Sequence, residues 1–349
     1  MKIAVAMSGG VDSSVAAAIL LKEGHEVIGV TMRHFDNAEF GFGNNEGSEL
    51  AIQDAKQVCG QLDIKHYVLD ITEEFKSIVI ADFIKEYSSG RTPNPCTLCN
   101  PTIKWGVFLK KVLKLGVQKI ATGHYVRLHF ENKIFNLYKS KDEDRDQTYM
   151  LWGLNQQQLS QTLFPVAEYT KKEIRKIANK LELPVHDKED SQEICFIKGH
   201  YEDYLKDHIE FKSGNIIYID GKTIGKHKGL PLYTIGQRKG LNTPWHSALY
   251  VLKPDVKNNT VVVTDNPDDL LCDRFSINQI NCISGSFPED MKNLSVQIRY
   301  NSKSIPVQSM VSKNNEIQVN LISPTRAITP GQSAVFYKGN LLLGGGIIV

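Results

Sequence analysis

The 349-residue chain is 41 % hydrophobic and 23 % charged with a formal net charge of +2, the balance of a folded globular protein rather than a disordered or fibrous one. That length predicts two or three domains, and a near-neutral charge means that any nucleic-acid surface has to be local. No apolar run approaches the roughly 20 residues that span a bilayer, and the opening apolar run is broken by glycines and Asp12, so no membrane attachment is expected and the expected compartment is the cytoplasm.

Ile3–Met7 reads as a buried parallel strand, and Val15–Lys22, rich in alanine, as a helix. Between them stands Met7-Ser8-Gly9-Gly10-Val11-Asp12-Ser13-Ser14, a strand-to-helix turn of the kind where open α/β sheets bind ligands. Gly9 and Gly10 allow positive φ and close approach, Ser8, Ser13 and Ser14 add hydroxyls, and the free N–H groups opening the helix make an anion site suited to phosphate. A Walker loop would need Gly-Lys-Ser/Thr and a dinucleotide loop would need G-x-G-x-x-G, and neither is present. Ser8-Gly9-Gly10-Val11-Asp12-Ser13 instead resembles the pyrophosphatase loop of enzymes that cut ATP between its α and β phosphates. An acid in such a loop repels its ligand unless a cation intervenes, so Asp12 suggests bound Mg²⁺.

Further strands are predicted at His25–Met32, Lys65–Ile71 and Lys119–Thr122, and helices at Ser48–Leu62, Glu73–Tyr87, Trp105–Leu115, Tyr169–Leu181 and Tyr201–His208. Asn37–Gly47 reads as a mobile loop. This alternation indicates a doubly wound parallel sheet. From Lys212 onward short β-branched runs are split by Gly, Asn, Pro and Asp, an all-β pattern. The expected division is a catalytic α/β domain over 1–211, a small β-rich domain over 212–273 and a C-terminal β-barrel over 274–349.

Cysteines carry the second signal. Gly90–Pro101 contains three prolines and reads as a stiff, non-helical loop presenting Cys96 and Cys99 as a C-x-x-C pair. Cys195 ends the acidic stretch Asp187–Glu193. Alone, the pair fits a redox couple, half a zinc site or coincidence. Beside a phosphate loop it points further, because ATP cleavage at the α phosphate makes a good leaving group and a cysteine persulfide is a potent sulfur nucleophile. Cys59, Cys272 and Cys282 read as buried apolar residues.

Several separated motifs then resemble one family over the whole chain, the bacterial-type tRNA-specific 2-thiouridylases. They are the loop at 8–14, Thr92-Pro93-Asn94-Pro95, Leu98-Cys99-Asn100, Ala121-Thr122-Gly123-His124-Tyr125, Asp146-Gln147-Thr148-Tyr149, Ile194-Cys195-Phe196-Ile197 and Tyr233-Thr234-Ile235-Gly236-Gln237-Arg238. The resemblance implies ATP bound by Ala6, Met7, Ser8, Gly9, Gly10, Val11, Asp12 and Ser13, with further contacts at Met32 and Gly123. It implies adenylation of the oxygen on carbon 2 of a wobble uridine, then sulfur transfer from a persulfide on Cys195. Cys99 acts there as nucleophile or resolving thiol through a disulfide with Cys195, and Asp12 belongs to the catalytic set. Asn94, Pro95 and Cys96 would lie against the target base, and His124, Arg145, Asp146, Gln147, Arg299, Tyr300 and Gln332 would contact tRNA. The partners implied are tRNA and a sulfur-donor protein, a cysteine desulfurase or persulfide relay.

Many members of the family carry Asp where this chain has Cys96. Three thiolates, Cys96, Cys99 and Cys195, also offer ligands for an iron–sulfur cluster with one open iron, although two cysteines suffice for persulfide chemistry. A pyrophosphatase-loop amide ligase and a non-catalytic RNA-binding protein with a regulatory nucleotide site are the rival readings. Lys104, Lys110, Lys111 and Lys114, together with Lys171, Lys172, Arg175 and Lys176, read either as a phosphate-backbone track or as solvated helix faces.

Overall fold

In a computed structural model that describes residues 1–43, 46–190 and 194–349, the first layer is a five-stranded parallel sheet. Its strands are β1 (Lys2–Ala6), β2 (Glu26–Arg33), β3 (His66–Asp70), β4 (Lys119–Ala121) and, after a hairpin of β5 (Val126–Glu131) and β6 (Ile134–Lys139), β7 (Thr162–Leu163). The order β3-β2-β1-β4-β7 reverses direction between β1 and β4, which places the switch-point crevice beyond the carboxyl ends of those two strands. Ile3, Ala4 and Val5 of β1 are fully buried because helices cover both faces, as a continuous apolar strand requires. Helix α1 (Val11–Lys22) and the Lys171–Lys180 helix share one core, and α2 (Gly47–Gln61) packs on it through Ala55, Val58 and Cys59.

The segment expected to be a non-helical loop at 90–101 is corrected by the structure. Helix begins at Pro95 and runs to residue 113, α-helical at Pro95–Cys99, π-helical at Asn100–Phe108 and α-helical again at Leu109–Leu113. Pro95 occupies the first helical position, where its missing N–H costs nothing, and Asn94 caps the helix by accepting from Cys96 N–H at 3.1 Å. Pro101 lies inside the helix, and the wider π register accommodates its missing donor. Gln158 Nε2 donates to the carbonyls of Pro101 at 2.9 Å and Trp105 at 3.0 Å, satisfying acceptors of the altered ladder.

The remaining strands form two further sheets. A four-stranded one joins β8 (Gly214–Tyr218), β9 (Thr223–His227), β10 (Tyr250–Asp255) and β11 (Thr260–Thr264) in the order β10-β11-β8-β9. Then β12 (Leu271–Cys282), β13 (Leu294–Gln297), β14 (Ile305–Lys313), β15 (Glu316–Arg326), β16 (Ser333–Lys338) and β17 (Leu341–Ile348) pair as β12-β15-β14-β13-β16-β17. Pairing of β12 with β17 closes the barrel around Ile277, Val296, Val319 and Phe336. The fold class expected from the sequence is therefore present. The unexpected element is the β5–β6 hairpin, whose Leu137 and Tyr138 pair with Leu342 and Leu341 of β17 and so extend the barrel sheet. Among the described residues no helix is long and apolar enough to cross a membrane.

Candidate active site

The phosphate loop follows β1 and stands beside the end of β4. Gly9 takes φ +68°, and a Cβ there would lie 2.6 Å from Ala51 O, so conformation and space both require glycine. Gly10, expected to share that freedom, is instead extended at φ −106° and caps α1 without a side-chain bond. Ser13 Oγ accepts from Ser8 N–H at 3.2 Å, and Ser13 and Ser14 hydroxyls donate to Gly10 O at 3.1 and 2.8 Å. These bonds fix the turn from within. Among the described residues no acceptor is bonded to the N–H groups of Gly10, Val11 and Asp12, which open α1 toward the crevice. Gly123 presses on the same place, since a Cβ on it would meet Ser13 N at 2.6 Å. Met32 is half-buried near the end of β2, packed against two hydrophobic clusters.

The cation beside Asp12 is a lysine. Lys171 Nζ lies 2.8 Å from both Asp12 carboxylate oxygens, and Tyr125 Oη donates to Oδ1 at 2.7 Å. Lys171 also pairs with Asp190 at 2.6 Å, and Arg145 reaches the same acid at 2.9 Å. Lys188 donates to Gly9 O at 3.0 Å and pairs with Asp54. The loop thus has two lysines at hand for a phosphate chain, and the donor set fits ATP. Asp12 itself is held by a lysine and a tyrosine.

The cysteines form a second group, tied to the loop region through Lys104, which also acts on His124 beside Gly123. Cys96 is exposed, Cys99 half-buried and Cys195 exposed, and all six cysteines are free thiols. Although Cys195 keeps surface, protein crowds it on most sides, and this burial pushes its thiol upward, with the charges of Cys96 and Cys99 adding to the effect. Burial likewise pushes Cys99 up to about 11 and raises Cys96. The three thiols therefore lie within electrostatic reach of one another. Against the rise stands Lys104, which acts on all three thiols and also on His34 and His124. The i→i+5 register of the π segment sets Lys104 five residues after Cys99 on this side of the helix. Among the described residues Lys104 has no ion-pair partner. No three His, Cys, Asp or Glu side chains among them converge on one metal ion.

His124 follows Gly123, with Nδ1 2.8 Å from Thr122 Oγ1 and its ring against Trp105 and Phe164. Burial, with Lys104 adding, lowers its pKa well below the ordinary value, and burial lowers that of His34 to about 4. Residues expected at the RNA turn inward in several cases. Gln147 Oε1 accepts from Tyr125 N–H at 3.0 Å, and Asp146 accepts from Ser140 N–H at 3.0 Å and from the Thr148 hydroxyl. Arg299 donates to Ala327 O at 2.6 Å and Thr329 Oγ1 at 2.8 Å, and Gln332 donates to Thr92 O at 2.7 Å, pinning the barrel against the cysteine segment. Tyr300 and Arg145 retain exposed surface beside them. Cys59 is buried as expected, whereas Cys272 and Cys282 are only half-buried, because they lie at the ends of the barrel strand β12. Ser191, Gln192 and Glu193 of the acidic stretch, and Asn44 and Asn45 of the loop expected to be mobile, fall outside the described residues.

Lys188 is the functional candidate that sequence reasoning did not single out, and Lys171, read from the sequence as an RNA track or a solvated face, turns to Asp12 instead. Thr170 and Glu173 form a capping box that marks the start of the Lys171 helix, but only the packing of that helix on α1 carries the ammonium to Asp12.

Three family domains match the chain in succession. They are a tRNA methyl transferase HUP domain over residues 1–199, a tRNA methyl transferase PRC-barrel domain over 202–265 and an aminomethyltransferase beta-barrel domain over 272–348. The tRNA-specific 2-thiouridylase MnmA of Lachnoclostridium phytofermentans is 42 % identical over 355 residues, covering 100 % of this chain and 99 % of that protein. The tRNA-specific 2-thiouridylase MnmA 2 of Clostridium tetani is 44 % identical over 356 residues, covering 99 % of this chain and 98 % of its own.

Proposed function

The chain belongs to the tRNA-specific 2-thiouridylase family, and from that premise we propose that it thiolates carbon 2 of the wobble uridine of tRNA at the expense of ATP. The observation that carries this reading is that Lys104 acts on Cys96, Cys99 and Cys195 and also on His124, next to the Gly123 that presses on the phosphate loop. A methyl transfer, the activity named in two of the domain descriptions, needs neither an α-phosphate loop nor paired thiols.

The N–H groups from Gly10 to Asp12 bind the phosphates, and Lys171 and Lys188 balance their charge. Mg²⁺ bound with the triphosphate neutralises charge on the departing pyrophosphate. The carbon-2 oxygen attacks the α phosphorus, which converts that oxygen into a leaving group. The terminal sulfur of a Cys195 persulfide then attacks carbon 2 and AMP departs. Cys99 attacks the Cys195 sulfur, releasing the thiocarbonyl and leaving Cys99 joined to Cys195. His124, uncharged in its pocket, and Asn94 with Pro95 bound the space for the base, while Arg145, Tyr300 and the barrel face the rest of the RNA. A sulfur-donor protein reloads Cys195. The division 1–211, 212–273 and 274–349 belongs to the same reading, with the β5–β6 hairpin lent to the barrel.

Mass spectrometry of nucleosides from unmodified tRNA, incubated with the protein, ATP–Mg and a persulfide donor, tests the proposal. The expected result is 2-thiouridine, with one AMP formed for each, and loss of both the nucleoside and its coupled AMP in Cys195→Ser. Bound tRNA and cleaved ATP without any thiolated nucleoside would overturn it. Activity surviving in both Cys99→Ser and Cys195→Ser would move the assignment to an amide ligase.

A further inference from the structure

Two thiols suffice for the transfer above, yet the group contains three. Cys96 and Cys99 both belong to the opening α-helical turn, Pro95–Cys99, so they sit at i and i+3 on one face. Cα atoms so related stand about 5 Å apart, inside the range of about 4.4–6.8 Å that a disulfide spans. The turn is held from outside the pair. Asn94 caps it, Thr97 Oγ1 donates back to Asn94 O at 2.8 Å, and Asn100 Nδ2 donates to Met150 O at 2.7 Å. Cys195 arrives from a separate segment, and Cys96 is the more exposed member of the helical pair.

We propose that Cys96 is a second resolving thiol, which attacks the Cys99 sulfur of the Cys99–Cys195 disulfide and frees Cys195 for its next persulfide. This rests on the persulfide reading of the site. In the step the Cys99–Cys195 bond breaks as the Cys96–Cys99 bond forms, the proton leaves Cys96, and Cys195 departs as thiolate. There is no net oxidation, and a dithiol reductant later supplies the two electrons that reopen the Cys96–Cys99 bond. The exchange moves the disulfide off the sulfur-carrying cysteine and onto a pair within one helical turn, whose Cys96 is exposed to a reductant. Lys104, facing all three thiols, favours the thiolate on whichever sulfur is leaving or attacking.

The test uses the full chain in one round of tRNA thiolation with ATP–Mg and a persulfide donor, without thiol reductant. Free thiols are then blocked with N-ethylmaleimide and unreduced tryptic peptides are weighed. Trypsin leaves Cys96 and Cys99 together in the 92–104 peptide and Cys195 in the 189–198 peptide, so the two disulfides differ in mass and connectivity. The expected product is an internal disulfide in the first peptide and an alkylated Cys195. In Cys96→Ser the Cys99–Cys195 cross-link should persist, and turnover at limiting dithiol should fall about 5-fold or more. A wild-type chain that ends with Cys99 joined to Cys195 and Cys96 alkylated overturns the inference and leaves the persulfide reading standing. Thiolated nucleoside made with all three cysteines alkylated overturns both.

Discussion

Lys171 Nζ bonds both carboxylate oxygens of Asp12 at 2.8 Å, joining the phosphate loop to a helix that begins 159 residues later. The same ammonium pairs with Asp190 at 2.6 Å, so it separates two acids that would otherwise face each other. Lys171→Met should leave both acids without that cation and cost about 1–3 kcal/mol, discounted because Asp12 keeps some solvent. It should also raise KM for ATP by roughly tenfold, the loss of one well-placed phosphate counter-charge. Urea midpoints and ATP titrations of pyrophosphate release check the two effects, and Lys171→Arg should recover part of each.

Lys104 is the cation shared by the three thiols. Burial raises Cys99 to about 11, and the lysine pulls it down, so removing the charge must raise it further. Lys104→Gln should slow alkylation of Cys99 at pH 8 by roughly 3–10-fold, since the thiolate fraction falls tenfold per pKa unit. The difference should shrink as pH approaches the thiol's own pKa. Equal alkylation rates in both proteins at every pH would place Lys104 outside the cysteine group.

Stability should depend on pH through three half-buried histidines. Desolvation lowers His34 to about 4, and it also lowers His66 and His124. An unfolded chain binds protons at these rings near pH 6.5, whereas the folded one does not until lower pH, so stability rises with pH across that window. The contribution is complete above about pH 6.5 and is lost as pH falls toward about 4. Denaturant midpoints measured from pH 7.5 to pH 4.5 should decline, and His34→Gln should decline less steeply.

Two glycines separate space from propensity. Gly123→Ala would put a Cβ 2.6 Å from Ser13 N and 2.7 Å from Asp12 C, both backbone atoms of the loop that cannot rotate away. It should cost about 1–3 kcal/mol and weaken ATP binding, because the loop itself has to shift. Gly60→Ala, in the exposed part of α2 with open space around it, should stabilise by about 0.5–1 kcal/mol. Thermal unfolding with and without ATP–Mg distinguishes the two.

Local rules were enough for the strand, turn and helix from Lys2 to Lys22, and for the punctuated strands after Lys212. Each follows from periodicity and turn residues within a few positions. The same holds for the C-x-x-C spacing, which is covalent. Helix over 105–113 is legible from periodicity, but its start at Pro95 is not, because prolines 95 and 101 break a helix by the local rule, and only the first-turn position of one and the π register around the other admit them. That register is supported by Gln158, more than 50 residues away in the chain. Lys171 beside Asp12, Gln147 under Tyr125 and Gln332 on Thr92 are likewise products of packing. A residue's own sequence surroundings fix which element it joins. Which distant charge or carbonyl its side chain meets is set by how sheets and helices close on one another, and that is a property of the whole chain.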